Sequence, residues 1–445
     1  MSLNLNSLLN EYRVEPSLSG RCFWQKDKEP GGLRYPLPIK PEYLDFMKLI
    51  LGFHIIEIDR LDTLKELVFE TSFPDSFSSI VDQLQSLFLY LTDLRVRLKV
   101  VPCFLEGNYK RLDERSSYKK TILFSSGLDS LCGAFRFSKQ NAATLTHCQT
   151  NQVLFHKVLD LSKIRPLNRS PLFCFNAITK STTGGPSNTR GLLFLSFAYS
   201  VAASLGMESV MFCENGSQML DVMLGPLVYP NKPATKNTNP IYIEKIERLL
   251  SSFSEKNIRI ERPFQEFTRA EMLAQVKDQI KSENTFSCFT TRGQSAMCGI
   301  CYNCFMRRMS LLAIDIKEDP NIYEKSPFES VDTTEQTESY DRNLRIIFHV
   351  LRHYAKVLKG DPSTLNEVKL SARNYFKHPI DLVTRSAEDI FLGVMKSLET
   401  IGDDRLNPLG MKATELLNQI DKQLLLDRNE ELIKLAQSTR ISPAH

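Results

Sequence analysis

Thr121-Ile122-Leu123-Phe124-Ser125-Ser126-Gly127-Leu128-Asp129-Ser130 runs from an apolar strand through a tight polar turn into a helix start. A junction of this kind is an anion site. Backbone N–H groups point outward from the first helical turn, and the helix dipole favours negative charge there. Gly127 permits close backbone approach, and the hydroxyls of Ser125, Ser126 and Ser130 can donate to phosphate oxygens. The same residues also read as a plainly capped helix, because Ser and Asp are favoured N-caps. The loop lacks the Gly-Lys-Ser/Thr of a Walker A sequence.

On either side of this turn the chain alternates strands with helices. Strands are expected at Thr121–Phe124, Thr144–Cys148, Leu172–Asn176, Ser209–Cys213 and Asn257–Glu261. Helices are expected at Leu128–Ser138, 189–205, Ile241–Phe253 and Arg269–Ile280. That rhythm predicts an α/β domain over 119–315, a parallel sheet with helices on both faces. Gly216–Pro240, rich in Gly, Pro and Asn, reads as a loop lining a site. Residues 1–118 read as an N-terminal α+β extension, with apolar stretches around 43–57 and 79–94 and a strand from Leu94 to Val101. Residues 316–445 read as a helical C-terminal region, with helices at Leu344–Leu358, Ala387–Ile401 and Thr414–Ala436.

The bulk properties narrow the class. The chain has 445 residues, 42% apolar, with 56 basic against 52 acidic residues. A net charge of +4 does not advertise a nucleic-acid stripe, and no direct nucleic-acid partner is expected. The uncharged run Gly191–Met207 carries three serines and reads as a buried helix, so no membrane association is expected. No secretory signal is visible, and the cytoplasm is the expected compartment. Ten cysteines without export point to thiols or metal instead of disulfides.

Four of those cysteines, Cys288, Cys298, Cys301 and Cys304, form the pattern C-x9-C-x2-C-x2-C. Two-residue gaps let a turn present two thiolates to one ion, and four thiolates satisfy tetrahedral Zn²⁺. Zinc is preferred to an iron–sulfur cluster. Four protein ligands leave no open position, so the role is structural.

Together the loop and the cysteines resemble the PP-loop ATP pyrophosphatases and, among them, the QueC 7-cyano-7-deazaguanine synthases. The loop is similar to that family's Ser-Gly-Gly-x-Asp-Ser, with Ser126 replacing the first Gly. Cys298-Gly299-Ile300-Cys301-Tyr302-Asn303-Cys304, followed by Arg307 and Arg308, resembles the family's cysteine motif. Asn188-Thr189-Arg190 is similar to its R-N/T-x-x-x-L segment. Thr238-Asn239-Pro240 is similar to its Thr-His-Pro, and Pro263–Glu271 to its P…T-K-x-E, with Arg269 for Lys. The resemblance covers about 119–315. The extensions on either side resemble those of longer QueC-like proteins of anti-phage operons, the QatC group.

The resemblance implies an adenine nucleotide alpha hydrolase-like fold with a zinc knuckle. It also implies ATP, Mg²⁺ and Zn²⁺ as cofactors. The loop would take the pyrophosphate portion of ATP, Asp129 would help hold Mg²⁺, and His147 would lie near the base. Arg190 and Lys180 would meet developing charge. Glu214, Asn215, Gly216 and Asp221 would face a 7-carboxy-7-deazaguanine-type substrate. The expected activity is C–N ligation: adenylation of that carboxylate, then attack by an amine, with a protein from the same operon as partner. Each residue also has a plainer reading: a solvated acid for Glu214, a helix start for Arg190, a surface loop around Lys180, a satisfied polar side chain for His147. Three alternatives stay open, namely nitrile synthesis proper, a thiolating PP-loop enzyme, and a non-catalytic nucleotide-binding component. His349 and His353, four apart on a helix, lack the Glu and third ligand of a zinc site.

Overall fold

The computed structural model describes residues 2–11, 21–24, 33–35, 39–59, 61–103, 118–138, 143–149, 152–176, 187–225, 236–254, 257–280, 285–288, 296–330, 337–401 and 403–438. The chain packs as two compact units that interleave in sequence. One comprises Met1–Ser125, Gly133–Phe212 and Thr235–Arg262; the other comprises Ser126–Cys132, Cys213–Ala234 and Pro263–His445.

The first unit holds both sheets. Its strands are β1 (Ser2–Asn4), β2 (Arg21–Trp24), β3 (Leu33–Tyr35), β4 (Glu66–Thr71), β5 (Arg97–Pro102), β6 (Lys120–Leu123), β7 (Ala143–Gln149), β8 (Leu172–Asn176), β9 (Ser209–Met211) and β10 (Arg259–Glu261). The larger sheet has the order β10-β9-β6-β7-β8-β2-β3. Its first five strands are parallel, with Ile122 in register with Leu145 on one side and Met211 on the other. Apolar runs at these positions are what a sheet covered on both faces requires. The two N-terminal strands β2 and β3 extend it antiparallel from β8, an addition the sequence reading did not assign to this sheet. A second, three-stranded parallel sheet runs β1-β4-β5. The helix Pro41–Ile58 packs against the helix Arg190–Leu205. Phe46 stacks on Phe253 within this core and Phe77 meets the same ring tilted, while the buried Asp45 pairs with Lys48 at 3.2 Å and accepts from Thr71 Oγ1 at 2.9 Å.

The second unit is helical. Its long elements are Tyr302–Ala313, Glu338–Leu358, Pro362–Ala372, Pro379–Leu398, Pro408–Leu417 and Lys422–Ser438. Proline stands in the first turn of three of them, where its missing N–H costs nothing. Gly393 lets Pro379–Leu398 lie directly on Tyr302–Ala313: a β-carbon there would meet Met309 O at 2.2 Å.

Three expectations need correction. Gly216–Leu224 is a helix, not the start of a loop. Asn215 caps it by accepting from Gln218 N at 2.9 Å, and Met219, Leu220 and Leu224 are buried. Arg269–Ile280 is helical only to Ala274 and then turns as a 3₁₀ segment at Lys277–Gln279. Thr414–Ala436 is two helices, broken after Leu417 and restarted where Asp421 Oδ1 accepts from Gln423 N at 2.9 Å. Among the described residues, no helix is long and apolar enough to cross a membrane.

Candidate phosphate-loop site and four-cysteine centre

The loop follows β6, and the helix Leu128–Phe137 opens immediately after it. Ser125, in the first unit, Gly127 and Ser130 are half-buried, while Ser126, Leu128 and Asp129 are buried. Ser126 O accepts from Phe286 N at 2.8 Å, and Ser130 Oγ donates to Gly127 O at 3.0 Å.

Asp129 is the charged centre of this arrangement. Its Oδ2 accepts from Asn215 Nδ2 at 2.5 Å, and Arg269 Nε lies 3.3 Å from Oδ1. Arg269 Nη2 also donates to Gln218 Oε1. Burial works against the Arg269 charge, but Asp129, with Tyr302 and Glu214, more than offsets it and raises the arginine's pKa. Asn215 thus serves twice: its oxygen caps one helix and its nitrogen holds the loop carboxylate of another. Arg269, at the position of the family's Lys, is the site residue absent from the sequence-based set.

Gly216 and Asp221 have explanations in packing. Gly216 N donates to Phe264 O and Phe267 O, at 2.9 and 2.8 Å, and a β-carbon would meet Gln265 O at 2.0 Å. Asp221, 1% exposed, accepts from Tyr354 Oη at 3.0 Å and from Tyr302 Oη. Burial pushes its pKa up to about 6, against the pull of the two hydroxyls. Glu214 is half-buried and lends its charge to Arg269.

In the first unit, His147 on β7 is buried, with Nδ1 donating to Phe124 O at 2.9 Å; burial pushes its pKa down to about 4. The helix start at Arg190 is filled by the protein itself. Glu57, from the helix Pro41–Ile58, accepts from Asn188 N at 2.7 Å and from Thr189 N at 2.9 Å. It also accepts from Ser187 Oγ at 2.5 Å and from Thr189 Oγ1. With both hydroxyls donating to Glu57, His54 Nδ1 is the donor toward them, at 2.9 Å from Thr189 Oγ1. Burial lowers the His54 pKa to about 4; Glu57 opposes that and the Arg190 charge adds to it. Asn239 of Thr238-Asn239-Pro240 caps the next helix, accepting from Ile241 N at 3.0 Å. Lys180 lies outside the described residues.

The four cysteines converge. Their sulfurs all lie within 4.8 Å of one another and all four residues are buried. Cys298 Sγ and Cys301 Sγ lie 3.9 and 3.5 Å from Cys304 Sγ. Tetrahedral Zn²⁺ with sulfur ligands at about 2.3 Å separates them by about 3.8 Å, so the donor set fits the ion. Backbone N–H groups support the thiolates: Cys298 N donates to Cys288 Sγ at 3.4 Å, and Cys301 N to Cys298 Sγ at 3.3 Å. Gly299 turns the knuckle at φ +76°, and a β-carbon there would meet Lys325 O at 1.8 Å. Arg307, fully buried, clamps Glu318 through Nη2 at 2.6 Å and donates to Thr285 Oγ1 at 2.7 Å. It thereby ties together the chain on both sides of the cluster. Arg308 lies over the Tyr323 ring.

Residues 135–315 match the family model described as queuosine biosynthesis protein QueC. The matched stretch contains Arg190, Glu214, Asn215, Arg269 and all four cysteines, and it begins after the turn Ser125–Ser130. No curated protein matches the chain. The match supports a QueC-like, ATP-utilising protein of the PP-loop type, with a four-cysteine cluster compatible with zinc.

Proposed function

We propose that this chain adenylates the carboxylate of a 7-carboxy-7-deazaguanine-type molecule and passes the acyl group to an amine. A carboxylate does not acylate an amine at neutral pH, because its oxygen is a poor leaving group. Attack of that oxygen on the α-phosphorus of ATP forms an acyl adenylate and releases pyrophosphate. The amine then attacks the acyl carbon, AMP departs with the former carboxylate oxygen, and one proton is released. The observation that carries this reading is Asp129, set in a strand–loop–helix turn and held by Asn215 and Arg269 from the QueC-like stretch.

The chain's residues would act by positioning and by charge. Ser125–Ser130 would receive the pyrophosphate portion of ATP, and Arg269 is the cation at hand for phosphate oxygens. Mg²⁺ would neutralise phosphate charge when bound. Asp129 is its candidate ligand, and taking the ion means exchanging the Arg269 ion pair. The four cysteines would hold zinc as a structural pin, since four thiolates leave it no open position.

The acceptor in this reading is a protein amine, as in a QatC-type defence role; its support is the resemblance of the extensions, which lie outside the matched residues 135–315. Acid-dependent exchange of labelled pyrophosphate into ATP tests adenylation. Mass spectrometry of co-expressed operon proteins tests the acceptor, and unmodified proteins beside active exchange would reject that part. A nucleotide-binding component without catalysis is the second reading, favoured by the side chain at Ser126 and by the occupied carboxylate of Asp129. Bound ATP without exchange would select it.

A further inference from the structure

The C-terminal helices carry charge into the turn that presents Arg269. Thr268 and Glu271 cap the short helix Arg269–Ala274 reciprocally. Thr268 Oγ1 accepts from Glu271 N at 3.1 Å, and Glu271 Oε2 accepts from Thr268 N at 2.9 Å. Both residues are also held from outside. Glu271 Oε1 accepts from Arg428 Nη2 at 2.7 Å and from Arg385 Nη1. The Thr268 hydroxyl donates to Asp389, whose other oxygen accepts from Arg428 Nε at 2.7 Å. Arg428, 4% exposed on Lys422–Ser438, therefore bridges Glu271 of the capping box and Asp389, the acid that holds its Thr268.

The four residues Thr268-Arg269-Ala270-Glu271 thus serve two sets of partners. Thr268 and Glu271 bind Asp389, Arg385 and Arg428, whereas Arg269 binds Asp129 and Gln218. A helix of six residues has little intrinsic stability of its own, so its register depends on such external bonds.

We propose that Arg428 is a positioning residue for the phosphate loop, acting through Thr268 and Glu271 on Arg269 and thereby on Asp129. The C-terminal helices, outside the QueC-matched residues, are then part of the loop's support. The inference rests on the phosphate-loop reading above.

The test uses the full chain with Arg428→Met, Arg428→Lys and Asp389→Asn. Lys396→Ala is the control: Lys396 anchors the same helices through Ala313 O, Asp315 and Asn429, next to Arg428 in the chain, without touching the capping box. Arg428→Met is expected to speed hydrogen exchange in 126–137 and 264–276 and to weaken ATP binding, each about tenfold, within the range for residues joined in one network. Arg428→Lys should recover part of both effects. Lys396→Ala should lower the melting temperature without either. In an Arg269→Gln background, Arg428→Met should add nothing to the loss of ATP affinity. Unchanged exchange in 126–137 would overturn the proposal, as would full additivity with Arg269→Gln. If Arg428→Met does not fold, Asp389→Asn decides by the same readouts. A wild-type chain that binds no ATP would reject the phosphate-loop reading instead, and the exchange comparison would still decide the coupling.

Discussion

Two polar helix starts in this protein differ in what fills them. At Asn188-Thr189-Arg190 the backbone N–H groups already hold a carboxylate, Glu57, delivered from a helix more than a hundred residues earlier. At Ser126–Asp129 the carboxylate belongs to the helix's own first turn and faces an arginine and an amide. A helix N-terminus attracts negative charge wherever it stands. The first start has its anion built in and is thereby a joint of the fold. In the second, the acid is neutralised by a cation that phosphate could compete for. A polar helix start therefore becomes a candidate ligand site only once its partners are known.

The largest effect that could break this contrast lies in the four-cysteine centre. Removing zinc, by chelation or by Cys304→Ser, should unfold much of the helical unit, since structural zinc contributes on the order of 10 kcal/mol or more. Metal analysis should return one zinc per chain. A metal-free protein with native melting behaviour would show that four packed thiols suffice.

Asp129→Asn should lower acid-dependent AMP formation by about 10² to 10³, the loss seen when one preorganised polar group is removed from an active site, beyond what the lost stability of its buried pair with Arg269 accounts for. Equal loss of stability and activity would make Asp129 another structural joint, like Glu57.

Acid should act in opposite senses on two buried groups, His147 and Asp221. His147 has a folded pKa of about 4 against an unfolded 6.5, so its contribution is complete above pH 6.5 and is lost as pH falls toward 4. Asp221 behaves oppositely: its folded value of about 6 exceeds the unfolded 3.8, so its contribution is present at low pH and is lost as pH rises through 6. A tenfold change in proton affinity corresponds to about 1.4 kcal/mol, so each group contributes up to ~3 kcal/mol. Hydrogen exchange followed between pH 7 and 5 should show the strands around β7 loosening while the helix Gly216–Leu224 tightens. His147→Asn and Asp221→Asn should each flatten one trend.

Glu57→Ala should cost roughly 2 kcal/mol, from buried donors left without an acceptor, and leave ATP binding unchanged. Sulfate should restore more stability to this variant than to the wild type, by occupying the vacated helix start. Loss of ATP affinity on this substitution would place Arg190 and its neighbours in the nucleotide site after all.

Much of this was legible in the chain. The parallel strands were readable because buried strands are short apolar runs, and Leu172–Asn176 falls where the pattern places it. The cysteine spacing alone announced a four-thiolate cluster. Local chemistry failed where position depends on distant residues. Nothing near Thr189 signals Glu57, and nothing near Glu271 signals Arg428. The helix after Asn215 was hidden by the Gly-, Pro- and Asn-rich segment that follows it. Arg269 was visible only as a departure from a family motif; its importance appears once Asp129 is beside it.

The most direct measurement is oxygen transfer. The chain would be given ATP, Mg²⁺ and a 7-carboxy-7-deazaguanine labelled with ¹⁸O in the carboxyl group, with ammonia or a candidate protein amine. Adenylation moves one labelled oxygen into AMP. AMP carrying one ¹⁸O, formed only when the acid is present, is the expected result. AMP without label, or cleavage of ATP indifferent to the acid, would contradict it.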